Sequence, residues 1–207
     1  MILNEQQEMI RDAAERFAEE RLAPNTREWE KKGAVDIQVL HEMGELGFMG
    51  MTVPEEWNGA GLDYVSYALA LIEIAAGDGA VSTIMSVNNA PVCAILQASA
   101  SDMLKEKYLK PLAGGEMIGA FALTEPQAGS DAAALQARAK RVDGGYEISG
   151  TKQFITSGTI AGAVIVFAVT DPDAGKKGMS AFLVPAGTEG MRVSGIEHKL
   201  GQEASDT

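Results

Sequence analysis

The sequence predicts an α+β fold: an N-terminal α-helical bundle domain followed by an antiparallel β-barrel-like domain. Apolar residues recur at helical spacing as far as about residue 115, and after it they fall in short, strand-length blocks. Capping residues punctuate the first part, while Asp143-Gly144-Gly145 and Asp171-Pro172-Asp173-Ala174-Gly175 supply tight turns in the second. Pro111 and Gly114-Gly115 lie where the period changes, so the expected domains are residues 1–115 and 116–207.

Asn4 and Gln7 form a capping-box pattern, and Ile10, Ala13, Ala14, Phe17 and Ala18 follow on one face, with Arg and Glu opposite; this predicts an amphipathic surface helix. Asp36 caps a second helix, which Gly44 and Gly47 are expected to end before a loop at Pro54. Residues 67–76 are apolar nearly all round apart from Glu73, and residues 80–98 are interrupted only by Ser82, Thr83, Ser86, Asn88, Asn89 and Gln97. Helices with so little polar face belong in the middle of a bundle. Pro91 removes an amide donor inside the second of them and predicts a kink near Asn88. Ser101-Asp102 opens a last helix, expected to reach Lys110. Strands are expected at 118–123, at 135–142 and 146–150 around the Asp-Gly-Gly turn, and at 163–169, 179–184 and 191–196.

The chain has 207 residues and a net charge of −12. Residues 1–115 carry 18 acidic and 9 basic side chains, net −9, and residues 116–207 carry 11 and 8, net −3. Such a surface repels phosphate backbones, so no nucleic-acid partner is expected, and an anionic ligand requires a locally basic site. Arg138, Lys140, Arg141, Lys176 and Lys177 are the basic candidates, and each reads equally well as a solubilising charge. The lone Cys93 cannot form an internal disulfide and fits a reducing compartment. No Cys/His cluster has metal-ligand spacing, so no metal is expected. No apolar run approaches the roughly 20 residues that span a bilayer. The N-terminus has no signal character, which points to a bacterial-type cytoplasm, a processed mitochondrial matrix protein being the alternative. His41 and His198 lack a nearby Ser or Cys with an orienting acid, and no strand leads into Gly59-Ala60-Gly61, which excludes a Rossmann fingerprint.

The chemistry-bearing run is Phe121-Ala122-Leu123-Thr124-Glu125-Pro126-Gln127-Ala128-Gly129-Ser130-Asp131. An apolar strand delivers Thr124 into a loop where Pro126 stops the strand, and Gly129 allows close backbone approach. Ser130 and Asp131 then offer a hydroxyl and a carboxylate. This run resembles the flavin-contacting signature of the acyl-CoA dehydrogenases: small residue, aliphatic, Thr or Ser, Glu, two free positions, small residue, Gly, Ser or Thr, Asp. Every fixed position is filled. Three further stretches resemble the same family in the same order: residues 54–63, Pro-Glu-Glu-Trp-Asn-Gly-Ala-Gly-Leu-Asp; Lys152-Gln153-Phe154-Ile155-Thr156; and His198-Lys199-Leu200-Gly201 with Ala204-Ser205-Asp206-Thr207. Glu203 departs from it, standing where relatives often carry a basic side chain.

The resemblance implies FAD as cofactor and an acyl-CoA thioester as substrate, converted to the 2,3-enoyl-CoA with hydride transfer to flavin N5. It implies cofactor contacts at Phe121, Leu123, Thr124, Gly129, Ser130, Phe154, Ile155 and Thr156, with Ser130 also touching substrate. Leu123 and Thr124 would hold the flavin's pyrimidine end and Thr156 its N5 side. Phe154 stands where many relatives carry Trp. Taken alone, Thr124 and Thr156 read as β-formers at strand ends, and Gly129-Ser130 as an ordinary turn. The family's catalytic glutamate lies on a C-terminal helical bundle outside the resemblance, so no catalytic residue is expected among these residues. Glu125 is expected to be structural, and Asp131 to order its loop. The sequence thus reads as the first part of a longer enzyme, inactive and association-prone by itself. The full-length protein is expected to be a homotetramer that passes electrons to an electron-transfer flavoprotein. Two alternatives stand beside this reading: a flavoenzyme of the same fold, such as an acyl-CoA oxidase or nitroalkane oxidase, and a non-enzymatic truncated protein that binds a nucleotide or a partner.

Overall fold

The computed structural model describes residues 2–207. Helix α1 (Glu5–Phe17) begins at the complete capping box: the Gln7 amide donates to the Asn4 side chain at 2.9 Å, and the Asn4 amide donates to the Gln7 side chain at 3.2 Å. A π turn, Ala18–Leu22, leads to α2 (Thr26–Lys32), an element not foreseen from sequence. Trp29 is its one buried residue, so α2 carries no apolar period to read. The Asp36 carboxylate accepts from the Gln38 amide at 3.0 Å and opens α3 (Ile37–Glu45). Gly44 falls in the last turn of α3, where a side chain would collide with the Gly114–Gly115 backbone, and Gly47, at φ +79°, follows the helix end.

The apolar helices α4 (Tyr64–Gly77) and α5 (Gly79–Val87) bury Ile74, Ile84 and Met85 with Leu22, Leu40, Met43 and Met49 in the main core. Pro91 breaks the helix after α5. Ala90 leaves helical conformation at φ −141°, ψ 100°, within a π turn, Asn88–Cys93, that continues into α6 (Ala94–Ser99). The stretch Gly79–Ser99 is, by length and composition, long and apolar enough to cross a bilayer, which corrects the reading that no such run exists. It is kinked and packs as a core helix, and its few hydroxyl and amide side chains had masked its length. Short helices α7 (Asp102–Leu104) and α8 (Lys110–Ala113) flank the π turn Lys105–Leu109. Pro111 is the second residue of α8, directly after the π turn, where it donates no amide to the carbonyls of the preceding turn.

Strands β1 (Gly119–Ala122), β2 (Arg138–Val142), β3 (Gly145–Ser149), β4 (Ala163–Val169) and β5 (Met179–Pro185) form one sheet. Strand β4 pairs antiparallel with β5 from Ala163–Pro185 to Val169–Met179, and parallel with β1 from Gly119–Ala163 to Ala122–Val166. It also touches β2 at the parallel pair Arg138–Val169, and β2–β3 is the antiparallel hairpin foreseen at Asp143-Gly144-Gly145. The antiparallel, barrel-like expectation is therefore corrected: the sheet is mixed and open. Its parallel pair joins β1 and β4 across a long excursion that contains the hairpin, and short-range turn signals carry no information about such pairing. Residues 191–196 form no strand; Met191, Val193 and Ile196 are exposed, with no neighbouring edge. The expected strand at 135–142 starts only at Arg138, because the Gln136 and Ala137 amides donate to the Glu125 carboxylate.

Candidate functional site

Strand β1 ends at Ala122, and the chain then turns tightly: the Glu125 and Ala128 amides donate to each other's carbonyls, each at 3.0 Å. This turn inverts the loop, sends the Glu125 side chain inward and leaves Gly129 and Ser130 exposed. Glu125 is 4% exposed and accepts four hydrogen bonds: Lys152 Nζ at 2.8 Å, Gln127 Nε2 at 2.7 Å, and the Gln136 and Ala137 amides at 2.6 and 3.0 Å. Burial alone raises its pKa. The lysine ammonium and the converging amide donors outweigh that effect and hold the carboxyl down at about 2. It stays ionised at neutral pH and is fully engaged, which makes it a structural anion, not a proton acceptor.

Lys152 ties the second segment to the first. Its Nζ donates to the Leu123 carbonyl at 3.0 Å as well as to Glu125, and the neighbouring Gln153 amide donates to the Thr124 carbonyl at 2.9 Å. Three bonds thus hold residues 123–125 against 152–153. Sequence reasoning placed Lys152 in this segment but gave it no partner, although a carboxylate leaving an apolar strand calls for a buried cation to satisfy it.

The other residues singled out from the sequence fall into distinct environments. The Phe121 ring is committed to an edge contact with Phe167, centroids 5.4 Å apart, and its backbone is in register with Ile165 of β4. Leu123 and Thr124 are half-buried at the junction, and the Thr124 hydroxyl has no hydrogen-bond partner among the described residues. The backbone amides of Gly129, Ser130 and Asp131 likewise find no backbone acceptor. Asp131, expected to order this loop, is exposed and its carboxylate accepts no hydrogen bond; the ordering comes from Glu125 instead. Phe154 is 57% exposed and sits in the left-handed region at φ +58°, a conformation that a bulky side chain holds only under constraint. Ile155 packs on Ala120, Ala122, Ala161 and Val164.

Thr156 Oγ1 lies 3.4 Å from Thr207 Oγ1, and the Thr159 amide and hydroxyl donate to the Asp206 carboxylate, so the final turn closes over the second segment. Ser157, between them, is fully buried at φ +64° with an unpartnered hydroxyl. In the same turn Glu203 accepts from the Lys199 amide at 2.6 Å, while its own amide donates to Glu30 at 3.0 Å. Burial raises the Cys93 thiol to about 12, which leaves it inert. Among the described residues no group of three or more His, Cys, Asp or Glu is placed to hold a metal ion.

Compared with known proteins, the chain matches the family model for the acyl-CoA dehydrogenase N-terminal domain over residues 4–116 and that for the middle domain over residues 120–207. The chain belongs to the acyl-CoA dehydrogenase family. Among curated members it is 41% identical over 205 residues to the mitochondrial short-chain specific acyl-CoA dehydrogenase of Rattus norvegicus, covering 99% of this chain and 50% of that protein. It is 41% identical to an acyl-CoA dehydrogenase of Bacillus subtilis, covering 100% of this chain and 55% of that one. Butyryl-CoA dehydrogenase from Megasphaera elsdenii superposes with a TM-score of 0.94 at 36% identity, over 99% of this chain and 55% of that chain. A chain from the structure of the electron transferring flavoprotein of Acidaminococcus fermentans gives 0.96 at 41% identity, over 99% of this chain and 54% of that chain. The chain thus spans about half the length of the acyl-CoA dehydrogenases it matches. Solved relatives include a glutaryl-CoA dehydrogenase from Mycobacterium smegmatis in complex with FADH2 and PigA in an FAD complex.

The site fits such a cofactor on its own geometry. Consecutive free amides at Gly129–Asp131 suit a phosphate, the unpartnered Thr124 hydroxyl suits a polar ring edge, and the strained, exposed Phe154 offers an aromatic face. Gly129 is also a clean probe. Its backbone is not in the left-handed region, and an added Cβ meets nothing within 4 Å. Gly129→Ala is therefore expected to change stability by less than about 1 kcal/mol while weakening FAD binding about tenfold through lost close approach. Paired thermal melts and FAD titrations read the two effects separately.

Proposed function

We propose that these residues form the FAD-holding part of an acyl-CoA dehydrogenase acting on short acyl-CoA thioesters, organised as domains 1–115 and 116–207. The observation that carries this reading is the Glu125–Lys152 junction, which holds the two segments together beside the unpartnered Thr124 hydroxyl and the free amides of Gly129–Asp131. Phe121 and Leu123, through their backbones, and the Thr124 hydroxyl bind one end of the flavin ring. Ile155 and Thr156 bind the other, Phe154 lies against it, and Gly129 and Ser130 bind phosphate, Ser130 also meeting the thioester arm. When bound, FAD supplies the hydride acceptor for oxidation of the acyl chain to the 2,3-enoyl-CoA.

These residues bind and orient, but they offer no base. Glu125 is ionised and saturated with donors, and Asp131 lies on the exposed far side of the loop. A base must reach the acyl carbon, and we assign proton removal to the part of an acyl-CoA dehydrogenase that this chain does not span. The whole enzyme is a homotetramer that passes electrons to an electron-transfer flavoprotein, in a bacterial-type cytoplasm or a mitochondrial matrix. The chain incubated with FAD and desalted is expected to keep its yellow absorbance, and to remain oxidised when butyryl-CoA is added anaerobically. Bleaching would overturn the assignment of the base elsewhere. A full-length protein whose reduced flavin reoxidises rapidly in air would favour an acyl-CoA oxidase.

A further inference from the structure

The two buried asparagines at the Pro91 kink differ in where they reach. Asn89, 1% exposed, binds only within the helical domain: its Oδ1 accepts from the Met51 amide at 2.7 Å, and its Nδ2 donates to the Phe48 and Met85 carbonyls at 2.8 and 3.0 Å. Asn88, fully buried, crosses to the sheet. Its Oδ1 accepts from the Gly119 amide at 2.9 Å, while its Nδ2 donates to the Leu112 carbonyl at 3.0 Å and the Met49 carbonyl at 2.8 Å. Leu112 is in α8 and Gly119 is the first residue of β1, so one side-chain amide grips both ends of the connection between the domains.

A second contact acts at the same place. Gly119 packs so closely on the kink that an added Cβ would lie 2.6 Å from Val92 Cγ1. The Ile118 carbonyl, next in line, accepts from the Gly162 amide at 2.8 Å and so fixes the entry to β4. From Gly119 the strand runs through Ala122 directly into Leu123 and Thr124.

We propose that Asn88 is a positioning residue for the flavin site: by clamping Leu112 and Gly119 to the proline kink, it sets where β1 delivers Leu123 and Thr124. The inference rests on the flavin reading only in taking that loop as the cofactor's. A fully satisfied polar group in an apolar interior favours one arrangement over its near neighbours, because any slip leaves its donors and acceptor unpaired.

Asn88→Leu and Asn89→Leu make a matched pair, since each strips three hydrogen bonds to backbone groups from one buried site. Hydrogen–deuterium exchange on the full chain is expected to show faster exchange over residues 118–124, by about tenfold, in Asn88→Leu. Asn89→Leu is expected to leave that segment as in wild type and to loosen residues 48–51. FAD affinity is expected to fall about tenfold in the first variant and to change less than about twofold in the second. Asn88→Asp keeps an acceptor for Gly119 but loses the donor to Leu112 and Met49, so it breaks one arm of the clamp and is expected to speed exchange over 118–124 as well if Asn88→Leu fails to fold. Equal exchange over 118–124 in the two leucine variants, or wild-type protection of that segment in Asn88→Asp, would overturn the clamp. A wild-type chain that holds no FAD would refute the flavin reading alone, and the exchange comparison would still decide the role of Asn88.

Discussion

Glu125→Ala is expected to lower folding stability by about 3–5 kcal/mol, because it leaves the Lys152 ammonium buried without its partner. Lys152 retains only the Leu123 carbonyl, and the Gln136 and Ala137 amides lose their acceptor, so the start of β2 loosens together with the 123–125 turn. The double variant Glu125→Gln with Lys152→Met should cost less than the sum of the single changes, since no unpaired charge remains. Chemical denaturation of the four proteins completes the cycle, and additive losses would contradict a coupled pair.

The same pair fixes a pH dependence. The folded-state pKa of Glu125, about 2, lies below its ordinary 4.5. Its contribution is therefore fully present above 4.5 and is lost as the pH falls from 4.5 toward 2. Glu125→Ala should show a shallower loss of stability across that window than wild type, and parallel curves would contradict the assignment.

Gly44→Ala is expected to destabilise the protein by about 3 kcal/mol. Its Cβ would lie 2.1 Å from the Gly114 carbonyl oxygen and 2.7 Å from Gly115 Cα, both backbone atoms that cannot swing aside. The displacement would also strain the contact between His41 Nδ1 and the Gly115 carbonyl, 2.7 Å apart, which ties α3 to the same connection. A urea midpoint shifted by less than about 1 kcal/mol equivalent would show that the helices separate there at low cost. Gly129→Ala, at an open position, provides the contrast.

What was legible in the sequence was local. The Asn4 and Gln7 capping box, the Asp36 cap, the Pro91 kink and the Asp143-Gly144-Gly145 hairpin each depend on a few adjacent residues, and the structure contains all four. The parallel pairing of β1 with β4 was not legible, because it joins segments about forty residues apart and the turn signal between them, Asp143-Gly144-Gly145, reports only the β2–β3 hairpin. Residues 191–196 alternate like a strand, yet alternation names a face and not a neighbour. The candidate site divides in the same way. Thr124, Gly129, Ser130 and Thr156 lie in stretches that resemble the family's motifs, whereas the hydrogen bonds of Lys152, Asp206 and Asn88 reach residues far away in the chain.

Titration of the purified chain with FAD, followed by flavin fluorescence and repeated with NAD, tests the central claim most directly. Saturable binding of one FAD per chain, weakened in Glu125→Ala and Gly129→Ala and absent for NAD, is the expected result. No saturable FAD binding, or equal binding of both nucleotides, would contradict a flavin site built on the two joined segments.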